Sequence, residues 1–140
     1  MEKLFNWISI TAGALGGITV KLLGGWDALI LTLVMLVVFD YITGFIKAIY
    51  TKQLSSEIGY KGIIKKVMIF ILVMVSCVIN RLTSGAIPLR ETVIMFFAVN
   101  EALSLVENIS EVIPVPPSLK KVLLQLREKN GIADDSESDN

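Results

Sequence analysis

The stretch Ala28–Tyr50 is long and apolar enough to cross a bilayer, and it carries an acid near its centre. At ~1.5 Å per residue a helix of this length reaches roughly 34 Å, against a hydrocarbon core of about 30 Å. A charge inside a lipid-spanning helix is costly unless it finds a partner, so Asp40 marks a functional candidate. Asp40, Thr43, Gly44 and Lys47 follow one another at i, i+3, i+4 and i+7, which puts them on one helical face. The other side offers Leu, Val, Ile and Phe. Asp40 and Lys47 lie ~10 Å apart along the axis, so one helix does not bring them into contact. Such a helix meets other protein, or water, inside a membrane.

Composition extends this reading to the whole chain. The 140 residues are 54% hydrophobic and 19% charged, whereas a soluble domain is nearer 45–50% apolar. The excess is gathered into blocks. The reading is an all-α integral membrane protein of three to four transmembrane helices plus a short C-terminal amphipathic helix. The spans are placed at about 4–24, 28–50, 63–82 and 89–113, so residues 1–113 form the transmembrane part and residues 114–140 a cytoplasmic helix and acidic tail. The sequence has no histidine, which removes the commonest general base and metal ligand. The single Cys77 reads as core packing.

The first segment, Leu4–Gly24, places Gly13 and Gly17 four apart, a spacing that lets helix backbones approach closely in lipid. It has no convincing cleavage signal and is expected to be retained. Gly24-Gly25-Trp26-Asp27 reads as a turn. Thr51–Gly62 reads as a polar loop containing Ser55, Ser56, Gly59 and Gly62. In the third segment, Ile63–Leu82, Lys65 and Lys66 are expected to snorkel at one end, and Asn80 and Arg81 mark the other. The fourth, Leu89–Ile113, is amphipathic. Asn100, Glu101, Ser104, Glu107, Asn108 and Glu111 fall within an arc of roughly 120° on a helical wheel. Pro114, Pro116 and Pro117 stop this helix. Ser118 then reads as the N-cap of a last helix, Leu119–Asn130, with Gly131 just past its end. The tail Ala133–Asn140 is acidic.

Lysines and arginines gather in the second-to-third connection and after the fourth segment, so both regions are expected on the cytoplasmic side. With four spans the N-terminus is cytoplasmic as well. With three, either the first segment lies in the interface or the fourth stays out of the membrane.

No P-loop, paired Cys/His spacing or nucleophile–base set is present, and the basic residues flank spans rather than line a groove. Neither an enzyme, a metal or cofactor site, nor a nucleic-acid partner is expected. The intramembrane polar groups show no obvious partners within one copy, so the expectation is a homo-oligomer in the lipid bilayer packed through its polar faces.

The residues Asp40-Tyr41-Ile42-Thr43-Gly44, then Ala48, Leu54-Ser55-Ser56, Gly59, Gly62 and Lys65-Lys66, form one block. Asn100-Glu101-Ala102-Leu103-Ser104, Glu107-Asn108, a proline-bearing segment and Leu119 form a second. Together, over roughly Ala28–Leu126, they resemble the phage lysis and toxin-secretion holins of Gram-positive bacteria and their phages. Two positions depart from that pattern: Asn80, where the family often has Asp, and Val112-Ile113, where it often has Gly. The resemblance implies a non-enzymatic protein that accumulates in the cytoplasmic membrane, oligomerises and permeabilises it at a set time. Its functional partner would be a peptidoglycan hydrolase (endolysin) or a toxin, without direct binding. On this reading Asp40, Thr43, Gly44 and Lys47, with Asn100, Glu101, Ser104, Glu107 and Asn108, are assembly surfaces. The other readings are a non-lytic membrane adaptor and an ion-translocating subunit that uses Asp40 or Glu101.

Overall fold

The computed structural model describes residues 1–129. The described residues form five α-helices: α1 (Glu2–Leu22), α2 (Ala28–Tyr50), α3 (Ser56–Leu82), α4 (Leu89–Ser110) and α5 (Pro117–Lys129). Turns of a few residues join α2 to α3 and α3 to α4, so these three run alternately up and down as an antiparallel bundle. All three are long and apolar enough to cross a membrane; α1 does not meet that standard.

Local chemistry sets the helix ends. The Asp27 carboxylate accepts from Ile30 N–H at 3.0 Å and caps α2. Ser55 Oγ accepts from Ile58 N–H at 3.2 Å and caps α3. Such caps satisfy amide groups that the first helical turn leaves free. At the other ends, Gly25 N–H donates to Val20 O, Gln53 N–H to Ala48 O and Gly85 N–H to Asn80 O, each at 2.9 Å. These bonds span five residues and need a left-handed residue just before the donor. Gly24, Lys52 and Ser84 fill that position, with φ of 83°, 57° and 53°.

The core is built from heptad-like stripes on the three long helices. Ile30, Leu33 and Val37 of α2 meet Ile69, Val73 and Cys77 of α3 and Ile94 and Ala98 of α4. Spacings of three and four are those of helices crossing at a shallow angle. The outward faces keep Phe39, Phe45, Ile71, Leu72 and Val75 exposed, as lipid contact requires. Helix α1 buries no residue and touches the bundle through α3.

Four helices differ in their bounds from the sequence reading. Helix α1 runs Glu2–Leu22 rather than Leu4–Gly24, because Gly24 leaves the helix at φ 83°. Helix α3 starts at Ser56 rather than Ile63, because Ser55 caps it and the polar residues that follow face outward on its first turns. Helix α4 ends at Ser110, short of Ile113. Helix α5 starts at Pro117, so Ser118 lies inside its first turn and is not the cap; proline suits that first position because its missing N–H is one the helix leaves unused. Asn130, Gly131 and the acidic tail lie outside the described residues.

Candidate functional site

Asp40 is 7% exposed and Glu101 is 2% exposed, and both are held by Lys66. The Lys66 ammonium donates to Asp40 Oδ2 and to Glu101 Oε2, which joins α2, α3 and α4 through one side chain. Asn108 Nδ2 donates to Asp40 Oδ1 at 3.0 Å, and more weakly to the Asp40 carbonyl at 3.4 Å. Two carboxylates therefore share one ammonium, and Asp40 alone also accepts from an amide. Asp40 and Glu101 each lie twelve residues from the start of their helices, roughly 18 Å in, and Lys66 lies sixteen residues before the end of α3, roughly 24 Å. The charges thus meet near the middle of α2 and α4.

This corrects the sequence reading on two points. The polar groups find partners within one copy, and Lys66 is an internal counter-ion rather than a snorkelling end residue. The placement follows from a stripe on α3: Gly59, Gly62, Lys66, Ile69, Val73 and Ser76 repeat at three and four, and the last three are buried. Lys66 sits in the buried seam, whereas Lys65 beside it is exposed.

Small residues around the cluster make room for it. A β-carbon at Gly44 would sit 3.4 Å from Asn108 Nδ2. A β-carbon at Gly62 or Gly59 would lie 3.5 or 3.7 Å from Tyr41, whose ring rests across the first turns of α3. These glycines are helix-packing positions, not loop turns. Thr43 Oγ1 donates to Phe39 O and Asp40 O of its own helix, at 2.9 and 3.1 Å. Asn100 and Ser104 are half-buried on α4, and Glu107 is exposed. Ser55 caps α3, while Ser56 is exposed. A side chain at Gly13 or Gly17 would meet nothing within 4 Å, so their spacing serves no contact within this chain.

Between the second half of α2 and the first half of α3 lies an open-sided cavity of about 510 Å³. Its lining includes the buried Asp40, the half-buried Lys47, Lys66 and Asn108, and the exposed Ser55, Ser56 and Lys65.

A second polar cluster was not foreseen. Arg90, 6% exposed at the start of α4, donates from Nε to Leu23 O at 2.7 Å and from Nη1 to Asp27 Oδ2 at 2.7 Å. Its Nη2 reaches Gly25 O at 3.5 Å. Gly24 lies against the guanidinium: a β-carbon there would come within 2.6 Å of Arg90 Nε. The Arg90 hydrogen bond, helped by the Ile30 amide, holds the Asp27 carboxyl below the usual carboxylate range. Nearby, Arg81 donates to Lys21 O at 2.9 Å, and Asn80 Oδ1 accepts from Leu89 N–H at 3.0 Å. The α1–α2 turn is thereby latched onto the end of the bundle. The Gly-Gly turn was visible in sequence, but the acceptors are backbone carbonyls, which sequence does not advertise.

A family model described as the bacteriophage holin family matches residues 17–128. An uncharacterized 14.9 kDa protein of Clostridium perfringens is 35% identical over 131 residues, covering 92% of this chain and 99% of its own length. An uncharacterized Listeria monocytogenes protein is 36% identical over 132 residues, with 94% and 92% covered. A probable holin of Bacillus phage phi105 is 31% identical over 80 residues, with 57% and 59% covered. No solved structure matches. With its three long apolar helices and a family match over most of its length, the chain belongs to the bacteriophage holin family, a family of non-enzymatic, multi-pass membrane proteins.

Proposed function

We propose that this chain is a holin: it accumulates in a bacterial cytoplasmic membrane, assembles with further copies and opens a timed lesion that releases an endolysin or a toxin. The observation that carries this reading is the mid-span cluster of Asp40, Lys66 and Glu101, closed within one copy. Burying three charges is expensive, and their mutual attraction recovers that cost only while the geometry holds. Water in an open lesion would hydrate the same groups. The closed bundle and a water-lined state are thus two ways of meeting one electrostatic demand, and assembly shifts the balance between them.

The surfaces left for assembly are those the single chain does not use. Helix α1 lies bare, with Gly13 and Gly17 open to a close-packed partner helix. Ser104 and Glu107 lie beside the cluster, on the less buried part of α4. Lys47, Lys52, Lys61 and Lys65 share one end of the bundle with α5 and its Lys120, Lys121, Arg127 and Lys129, and this end faces the cytoplasm by the positive-inside rule. The C-terminus is then cytoplasmic.

Induced expression in a bacterium tests the reading. Membrane potential is followed with a dye, and release of a co-expressed peptidoglycan hydrolase is followed by loss of turbidity. Abrupt depolarisation and lysis after a delay is the expected result. A potential that persists at high protein levels would favour a non-lytic adaptor. Selective ion flux with no release of large solutes would favour an ion-translocating subunit.

A further inference from the structure

We infer that the cavity between α2 and α3 is a binding site for one anionic phospholipid, with its phosphate at the rim and an acyl chain along the apolar wall. The charge balance of the lining carries this. Its cations are Lys47, Lys65 and Lys66, and its acid is Asp40. Lys66 is already committed to Asp40 and Glu101. Among the described residues, Lys47 and Lys65 form no ion pair. Counting Glu101, which Lys66 also holds, three ammonium groups face two carboxylates, so the lining keeps a net positive charge, carried by Lys47 and Lys65 next to the hydroxyl-bearing Ser55 and Ser56.

The walls give the second half of the ligand. Phe45 and Ile58 line the cavity and are also exposed on the outer face of the bundle, so the cavity opens sideways toward lipid. At about 30 Å³ per water molecule, its 510 Å³ would hold roughly seventeen waters, far more than a lone phosphate fills. A basic pocket between transmembrane helices, apolar below and hydrogen-bonding above, matches an anionic headgroup with its first methylenes. A deeper anion is excluded, because Asp40 faces it and Lys66 is spent. The site does not depend on lesion formation; it requires only that α2 and α3 sit in a bilayer.

The test uses the full chain with Trp7→Phe and Trp26→Phe, and Phe45→Trp as a reporter in the cavity wall. It is reconstituted in phosphatidylcholine vesicles containing a small fraction of lipid brominated on its acyl chains. Brominated phosphatidylglycerol should quench the reporter at a far lower mole fraction than brominated phosphatidylcholine. A lysine near the membrane contributes about fivefold in affinity, so two give roughly twenty-five-fold selectivity. Lys47→Gln with Lys65→Gln should bring the two quenching curves together, Lys47→Arg with Lys65→Arg should keep them apart, and Lys120→Gln on α5 should change nothing. Helical content by circular dichroism establishes that each variant is folded. Equal quenching by both lipids in the parent would overturn the proposal, as would unchanged selectivity in the folded double-Gln variant. Equal loss in Lys120→Gln would do the same, by showing a diffuse surface attraction. Displacement by excess soluble glycerol 3-phosphate would assign the rim to a free phosphate instead, and absence of quenching by either lipid would assign the cavity to a second copy.

Discussion

The two polar clusters sit in the same bundle but are built from different materials. The mid-span cluster is almost all side chain: Lys66 between two carboxylates, with Asn108 alongside. The latch at the other end leans on backbone: Arg90 reads the carbonyls of Leu23 and Gly25, with the half-exposed carboxylates of Asp27 at 2.7 Å and Glu91 at 3.6 Å beside it. A side-chain cluster can be replaced as a unit or hydrated as a unit. A latch on carbonyls cannot be replaced by any apolar residue, since the carbonyls remain. The first is suited to a switch and the second to a fixed hinge point.

The largest effect should come from breaking the mid-span cluster at its centre. Lys66→Met leaves two buried carboxylates without a cation and should cost about 3–5 kcal/mol, read as a lowered unfolding midpoint in detergent micelles. The triple variant Asp40→Leu/Lys66→Met/Glu101→Leu should regain most of that stability, yet it should fail to depolarise cells. A triple variant as damaged as the single would show that the cluster cannot be exchanged as a unit.

Next comes the latch. Gly24→Ala forces a side chain into φ +83° and against Arg90. About 1–3 kcal/mol should be lost in the same assay. If instead the loss is negligible, the latch is not a fixed point. Asn108→Leu removes both hydrogen bonds to Asp40, at 3.0 and 3.4 Å, and should cost about 1 kcal/mol, since such bonds in membrane proteins are modest. That would place the amide well below the ammonium in importance.

The smallest effect is one of pH. The Asp27 carboxyl titrates below its ordinary value of about 3.9, because Arg90 holds it ionised. The stability it adds is therefore complete above that value and is lost as pH falls through the lower folded-state value. Trp26 fluorescence in a Trp7→Phe background should change in that acid window, and the change should vanish in Asp27→Asn.

The same contrast explains how much could be read from sequence. Helix α2 appears with the bounds the apolar run predicts, because its hydrophobic length and its Asp27 cap coincide. Asp40, Glu101 and Asn108 stood out as polar groups at membrane depth. Lys66 stood out less, because a lysine next to Lys65 at the end of an apolar run looks like a snorkelling residue. Its membership in the stripe through Gly59, Gly62 and Ile69 was the missed signal. Lys66 lies 26 residues from Asp40 and 35 from Glu101 in the chain, so only tertiary packing joins them. Arg90 was illegible for a different reason, since its main partners are carbonyls that any residue carries. The start of α3 was hidden by polarity: hydropathy followed the loss of apolar residues, while the helix followed the Ser55 cap.

The central claim is that the bundle closing the mid-span cluster parts when the membrane is permeabilised. Native Cys77 reports this without any substitution, being 3% exposed in the core shared by α2, α3 and α4. A charged, membrane-impermeant thiol reagent is added to expressing cells while membrane potential is recorded. The account predicts no modification of Cys77 before depolarisation and rapid modification after it. Modification beforehand, or an unmodified Cys77 in fully permeabilised cells, would contradict it.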